Sequence, residues 1–174
     1  STLNDIGSLN GRSSAGRGIN DAGQITGSGP TVYYGMGGGT GPTHAFLYSN
    51  GLISDIGTLG GSVSVGSGIN NSGQIAGASY VAGDTMLHAF RYHNGLMVDI
   101  GTLGGVYSYG YGINDSGQVA GDSQNLDGEF HAFIWQEGGM IDLGTLGGEW
   151  SSGTSINAFG QVTGVSVGVD GIQH

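Results

Sequence analysis

Hydrophobic and small residues alternate along the chain in short runs, with turn residues between them. Stepping by two through residues 63 to 67 gives Val63, Val65 and Ser67 on one side, while Ser64, Gly66 and Gly68 fall on the other. The same alternation gives Ser13, Ala15 and Arg17; Tyr107, Tyr109 and Tyr111; and Trp150, Ser152 and Thr154, each opposed by only Gly or Ser. A period of two is the signature of a β-strand, and no helical period of 3.6 is sustained anywhere. Each such strand ends at Ile-Asn, and Asn-x-x-Gly supplies a turn. A second strand, Gln-Ile/Val-x-Gly, follows. A third reads His-Ala-Phe-x-Tyr/Trp, as in His88-Ala89-Phe90-Arg91-Tyr92. A glycine-bearing turn, Asn50-Gly51, Asn94-Gly95 or Gly138-Gly139, then marks a hairpin into a fourth strand ending Asp-Ile/Leu-Gly.

This four-strand pattern recurs. The repeat Asp stands at Asp5, Asp55, Asp99 and Asp142, and the repeat Asn at Asn20, Asn70, Asn114 and Asn157. The repeat His stands at His44, His88, His131 and His174. The units are residues 5–54, 55–98, 99–141 and 142–174, the last of which is expected to be truncated. Repeat length varies between 43 and 50 residues, and all of the variation lies between the second and third strands. A connection that tolerates insertion is a surface loop. Four strands per unit of this length predict an all-β, β-propeller-like fold in which each repeat forms a four-stranded antiparallel blade. A β-solenoid is the alternative. A β-sandwich would leave the constant period unexplained. In an up-and-down blade the connections alternate between two rims, so the variable loops share one rim with the Gly-Thr-Leu-Gly-Gly segments, and recognition is expected there. His174 lies 43 residues after His131, where the third strand of the fourth unit should start. The single repeat domain, residues 1–174, is therefore expected to be a segment of a longer chain.

The motifs Asp-Ile/Leu-Gly-Thr-Leu-Gly-Gly, Ile-Asn-x-x-Gly-Gln-Ile/Val-x-Gly and His-Ala-Phe, co-spaced across essentially the whole chain, resemble the HAF family of extracellular repeat proteins of bacteria. Departures are Ser8 for Thr, Asn10 for the first Gly of the pair, and Ala158-Phe159 before the last Gly-Gln. The resemblance implies an extracellular, cell-surface or periplasmic setting in a bacterium and implies no enzymatic activity.

Composition sharpens the picture. Glycine contributes 40 of 174 residues, and only 2 are proline, without a Gly-X-Y period, which excludes collagen. Strand glycines mark close backbone approach, as blades packed near an axis require. There are 13 acids against three arginines, for a net charge of -10, which argues against nucleic-acid and anionic membrane partners. No apolar run is long enough for a membrane-spanning helix, so membrane insertion is not expected. Cysteine is absent, which removes disulfides and thiol chemistry.

Candidate chemistry is thin. A histidine repeated in every unit suits a structural hydrogen bond better than catalysis, and an Asp–His brace is expected. The repeat Asp is expected to bind backbone amides at a strand end, and the repeat Asn to cap its own turn. The acidic loop residues Asp21, Asp115, Asp127, Glu129 and Asp170 fit no calcium loop, so no cofactor or metal is expected and calcium stays a weak alternative. Residues 35–39 are glycine-rich, but no Lys-Ser/Thr follows as a phosphate loop needs. What differs between repeats is aromatic: Tyr33 and Tyr34 in the longest variable loop, and Tyr107, Tyr109, Tyr111 and Trp150 on first strands. These are the candidate ligand-binding residues, since aromatic faces suit sugars and protein partners. The expected function is a non-enzymatic binding or structural module with a protein or glycan partner at the variable-loop rim. A propeller enzyme acting on glycans and a self-associating subunit of a surface filament or larger assembly are the alternatives.

Overall fold

The computed structural model describes residues 4–10, 13–31 and 41–174. Among these there is no helix; fourteen strands form antiparallel sheets. The first unit contributes β1 (Ala15–Ile19), β2 (Ile25–Pro30), β3 (Thr43–Ser49) and β4 (Leu52–Asp55). The second contributes β5 (Gly60–Ile69), β6 (Ile75–Val81), β7 (Leu87–His93) and β8 (Leu96–Asp99). The third contributes β9 (Gly104–Ile113), β10 (Val119–Asn125), β11 (Phe130–Gln136) and β12 (Gly139–Asp142), and the fourth β13 (Gly147–Ile156) and β14 (Val162–Gly168). Within each of the first three units every strand pairs antiparallel with the next. One parallel pair, Leu87 with Tyr107, joins the second and third units into a continuous sheet.

In the fourth unit, expected to be shorter than the others, β13 and β14 form, and after the turn at residues 169–171 the chain pairs with β14 through one isolated bridge, Val167 with Gln173. His174 exchanges backbone hydrogen bonds with Ser166 at 2.9 and 3.0 Å. That is the register His88 takes with Ser79 and His131 with Ser123.

Local chemistry explains the turns. Asn50 and Gly51 both have positive φ (53° and 81°), as do Asn94 and Gly95 (51° and 83°). This is the combination a tight hairpin turn needs, and Asn and Gly adopt it most easily. At the Asn-x-x-Gly turns, Asn70 N donates to Gln74 O and Gly73 N donates to Asn70 O, each at 3.0 Å.

The core repeats with the sequence. Phe46, Phe90 and Phe133 are fully buried, as are Ala45, Ala89, Ile75 and Val119. Each Phe pairs with the glycine of the neighbouring second strand: Phe46 with Gly27, Phe90 with Gly77, Phe133 with Gly121. A Cβ at Gly121 would overlap the Tyr109 carbonyl oxygen and lie 2.9 Å from the Phe133 ring. The glycine is therefore the seat on which the ring lies.

Neighbouring units meet through the Gly/Ser face of the first strand. A Cβ on Gly68 would lie 2.8 Å from the Tyr111 oxygen, and one on Gly110 would lie 3.0 Å from the Gly77 oxygen. Backbone therefore packs on backbone between units. The serines of the same face are buried and bonded across the seam. Ser64 Oγ accepts from Ala45 N (2.8 Å) and donates to Gly57 O (2.5 Å). Ser108 repeats this with Ala89 and Gly101, and Ser151 with Ala132 and Gly144. A hydroxyl both accepts and donates, so it satisfies an edge amide and a loop carbonyl in one step.

Candidate functional site

The repeated polar residues are engaged within the scaffold. Asp55 Oδ1 accepts from Gly57 N at 2.7 Å while its Oδ2 meets His44 Nδ1 at 2.8 Å. Asp99 does the same with Gly101 N (2.8 Å) and His88 Nδ1 (2.7 Å), and Asp142 with Gly144 N (2.7 Å) and His131 Nδ1 (2.8 Å). Asp5 accepts from Gly7 N at 2.9 Å. Each carboxylate fixes the bend that follows it, and those of Asp55, Asp99 and Asp142 also orient a third-strand histidine. His174 differs, its Nε2 lying 3.7 Å from Asp170 Oδ1.

The repeat Asn does more than cap its own turn. Asn70 Oδ1 accepts from Ser72 N (3.1 Å) and Gln74 N (2.9 Å), which is the cap. Its Nδ2 also donates to Gln74 Oε1 (2.7 Å) and to Asn114 O of the next unit (2.8 Å). Asn20 reaches Asn70 O, and Asn114 reaches Asn157 O, both at 2.9 Å, so an amide ladder runs from the first unit to the fourth. The interunit half of this role could not be read from the turn motif, which is local.

A second ladder lies beside it. Asn71 Nδ2 sits between Asp21 Oδ2 (2.9 Å) and Asp115 Oδ2 (3.3 Å). The Asn71→Asp variant would align three carboxylates. It is expected to lose about 1 kcal/mol in denaturant unfolding at low salt, with the loss shrinking as salt is added.

Three of the aromatic residues that vary between units, Tyr109, Tyr111 and Trp150, converge in one place. A cleft of about 500 Å³ opens between the third unit and β13. Its aromatic walls are Tyr109 and Tyr111 on β9, Phe130 on β11 and Trp150 on β13. The Tyr109 and Tyr111 rings are parallel within 5° with centroids 6.3 Å apart, and Phe130 leans on Tyr109 at 6.1 Å. Tyr111 and Trp150 keep 36% and 38% of their surface exposed, so these rings do not simply fill the seam between units. Tyr107 stands apart, at the pairing with Leu87 and outside the cleft lining. Tyr33 and Tyr34 lie outside the described residues.

Three carboxylates share the cleft: Asp122 on β10, Glu129 in the variable loop before β11, and Glu149 on β13. Sequence reasoning passed over Asp122 and Glu149 and read Glu129 as a solvated loop acid. A signal was present. Asp122 occupies the position held by Ser28, Ala78 and Val165 in the other units, and Glu149 that of Ser62 and Val106. An acid found in only one copy of a repeat is not needed by the scaffold. Glu129 Oε2 also lies 3.8 Å from His131 Nε2. Among the described residues no group of three or more His, Asp or Glu is close enough to hold a metal ion.

Burial pushes the Asp122 carboxyl above its ordinary range, against the opposing hydrogen bonds from Ser152 and Tyr111. Burial and the Asp122 charge in turn raise the Tyr109 and Tyr111 phenols. A carboxyl whose folded pKa is raised destabilises the fold above that pKa, and the penalty fades as pH falls towards the unfolded value. Asp122→Asn is therefore expected to raise the melting temperature at pH 7 by about 2 °C or more. The gain should shrink on acidification, as differential scanning calorimetry would show. A carboxyl whose pKa is shifted by burial, in a cleft, is a feature that binding sites share.

No family model matches the chain, and no curated protein matches it.

Proposed function

We propose that the chain is a non-enzymatic, extracellular β-propeller module whose four-stranded antiparallel repeats act as blades and whose cleft between the third and fourth units binds a glycan. The resemblance to HAF repeats supports the extracellular bacterial setting. The observation that carries the reading is the convergence of unit-specific aromatics and unit-specific carboxylates in one cleft on an otherwise uniform scaffold. Aromatic faces stack on the C–H faces of sugar rings, and carboxylates accept hydrogen bonds from paired hydroxyls. The volume falls within the range of small-ligand sites. Glu129 belongs to the variable connection, which supports recognition on the variable-loop side.

Three carboxylates around a cleft also favour a second reading, a glycan-cleaving enzyme with a raised-pKa acid at Asp122. The open setting favours binding: the Glu129 side chain is 46% exposed, whereas catalytic acids work best where water is excluded. One experiment separates the two. The protein is incubated with an immobilised oligosaccharide panel, and the supernatant is analysed for shortened products. Retention without products is expected. Products that disappear with Asp122→Asn or Glu149→Gln would establish the enzyme, and no retention on any saccharide would overturn both.

A further inference from the structure

The electrostatics of the cleft are one-sided. Asp122, Glu129 and Glu149 line it, and among the described residues no Lys or Arg does. The whole chain has three arginines and no lysine, for a net charge of -10, so the long-range field also draws cations. Arg91 is engaged elsewhere, 4.9 Å above the Trp135 ring. Asp122 is the sharpest case. It is half-buried, its neighbours Tyr111 Oη (3.5 Å) and Ser152 are neutral, and among the described residues no cation offsets its charge. A carboxylate drawn out of water without a counter-charge is stabilised by whatever cation arrives. The walls add to this, because the faces of Tyr109, Tyr111, Phe130 and Trp150 present negative quadrupoles that attract an ammonium group.

Resting on the glycan reading above, we propose that the preferred ligand is an amine-bearing saccharide, a hexosamine with a free ammonium group. The ammonium is held by the Asp122 and Glu149 carboxylates and the sugar ring lies against the aromatic walls. N-acetylation would remove the charge and leave the carboxylates unpaired. Uronic or sulfated sugars would be repelled. Trp150 lines the cleft and serves as a fluorescent reporter.

The test is calorimetric titration slightly below neutral pH, where an amine is protonated. The ligands are a β-1,4-linked glucosamine tetrasaccharide, its fully N-acetylated form, cellotetraose and tetralysine. The glucosamine oligomer is expected to bind about 10-fold or more tighter than the acetylated one. That preference should weaken with added salt and fall towards unity in the Asp122→Asn, Glu149→Gln double variant. Acetylated or neutral oligomers binding as tightly as the amine would overturn the inference and leave the glycan reading standing. Tetralysine binding as tightly as the saccharide would also overturn it, because charge alone would then be recognised. No binding by any saccharide would overturn both. A melting temperature retained or raised in the double variant shows that a lost preference reflects the cleft and not the fold.

Discussion

Gly121→Val is expected to unfold much of the protein, with a loss of about 4 kcal/mol or more in denaturant titration. A side chain there has nowhere to go. Its Cβ would overlap the Tyr109 carbonyl oxygen on one side and press on the Phe133 ring, 2.9 Å away, on the other. Relief would require moving either the β9 backbone, which is bulged at this point, or a fully buried ring. The turn glycines provide the contrast. Gly101 has nothing within 4 Å of its Cβ position but has a φ of 77°, so Gly101→Ala is expected to cost only about 1 kcal/mol. Equal losses for the two would show that glycine serves backbone conformation alone and not the packing between strands.

Asn70→Asp should be nearly as damaging, at about 3–4 kcal/mol. The substitution keeps the Oδ1 acceptor that caps the turn through Ser72 and Gln74. It replaces the amide that donates to Gln74 and Asn114 O with an oxygen. Asn70 is only 4% exposed, so a carboxylate there would face the Asn114 carbonyl without water. Because the contact links two units, both should lose protection in hydrogen exchange. Loss confined to the turn at 70–74 would mean that the ladder does not couple them.

Much of the architecture is legible in the sequence because it is local or repeated. Alternation in Val63–Ser67, the Asn-Gly turns and the constant spacing each fix one feature of the meander. The Gly/Ser face of the first strands points to close packing, which Gly68 and Gly110 show. What the sequence hides is what forms between units. Ser64, Ser108 and Ser151 look like filler until their hydroxyls are seen bridging two units. The amide ladder is invisible for the same reason. The cleft draws on β9, β10, β11 and β13, and no motif links residues so far apart in the chain. Half of it was within reach, since Tyr109, Tyr111 and Trp150 stand out as unit-specific aromatics. The carboxylates need the same comparison applied to every position.

The proposed role rests on the cleft being grafted onto an indifferent scaffold, and the repeats supply the residues for an erasing variant. Tyr109→Val, Tyr111→Ser, Asp122→Ala and Trp150→Val together install what the second unit carries at the same positions, namely Val65, Ser67, Ala78 and Val63. The measurement is the affinity of this quadruple variant for the tightest-binding saccharide of the panel, alongside its melting temperature. The account predicts a folded protein, as stable as the parent or more so, whose affinity has fallen about 100-fold or more. Affinity retained in the folded variant would contradict it and place recognition elsewhere on the molecule.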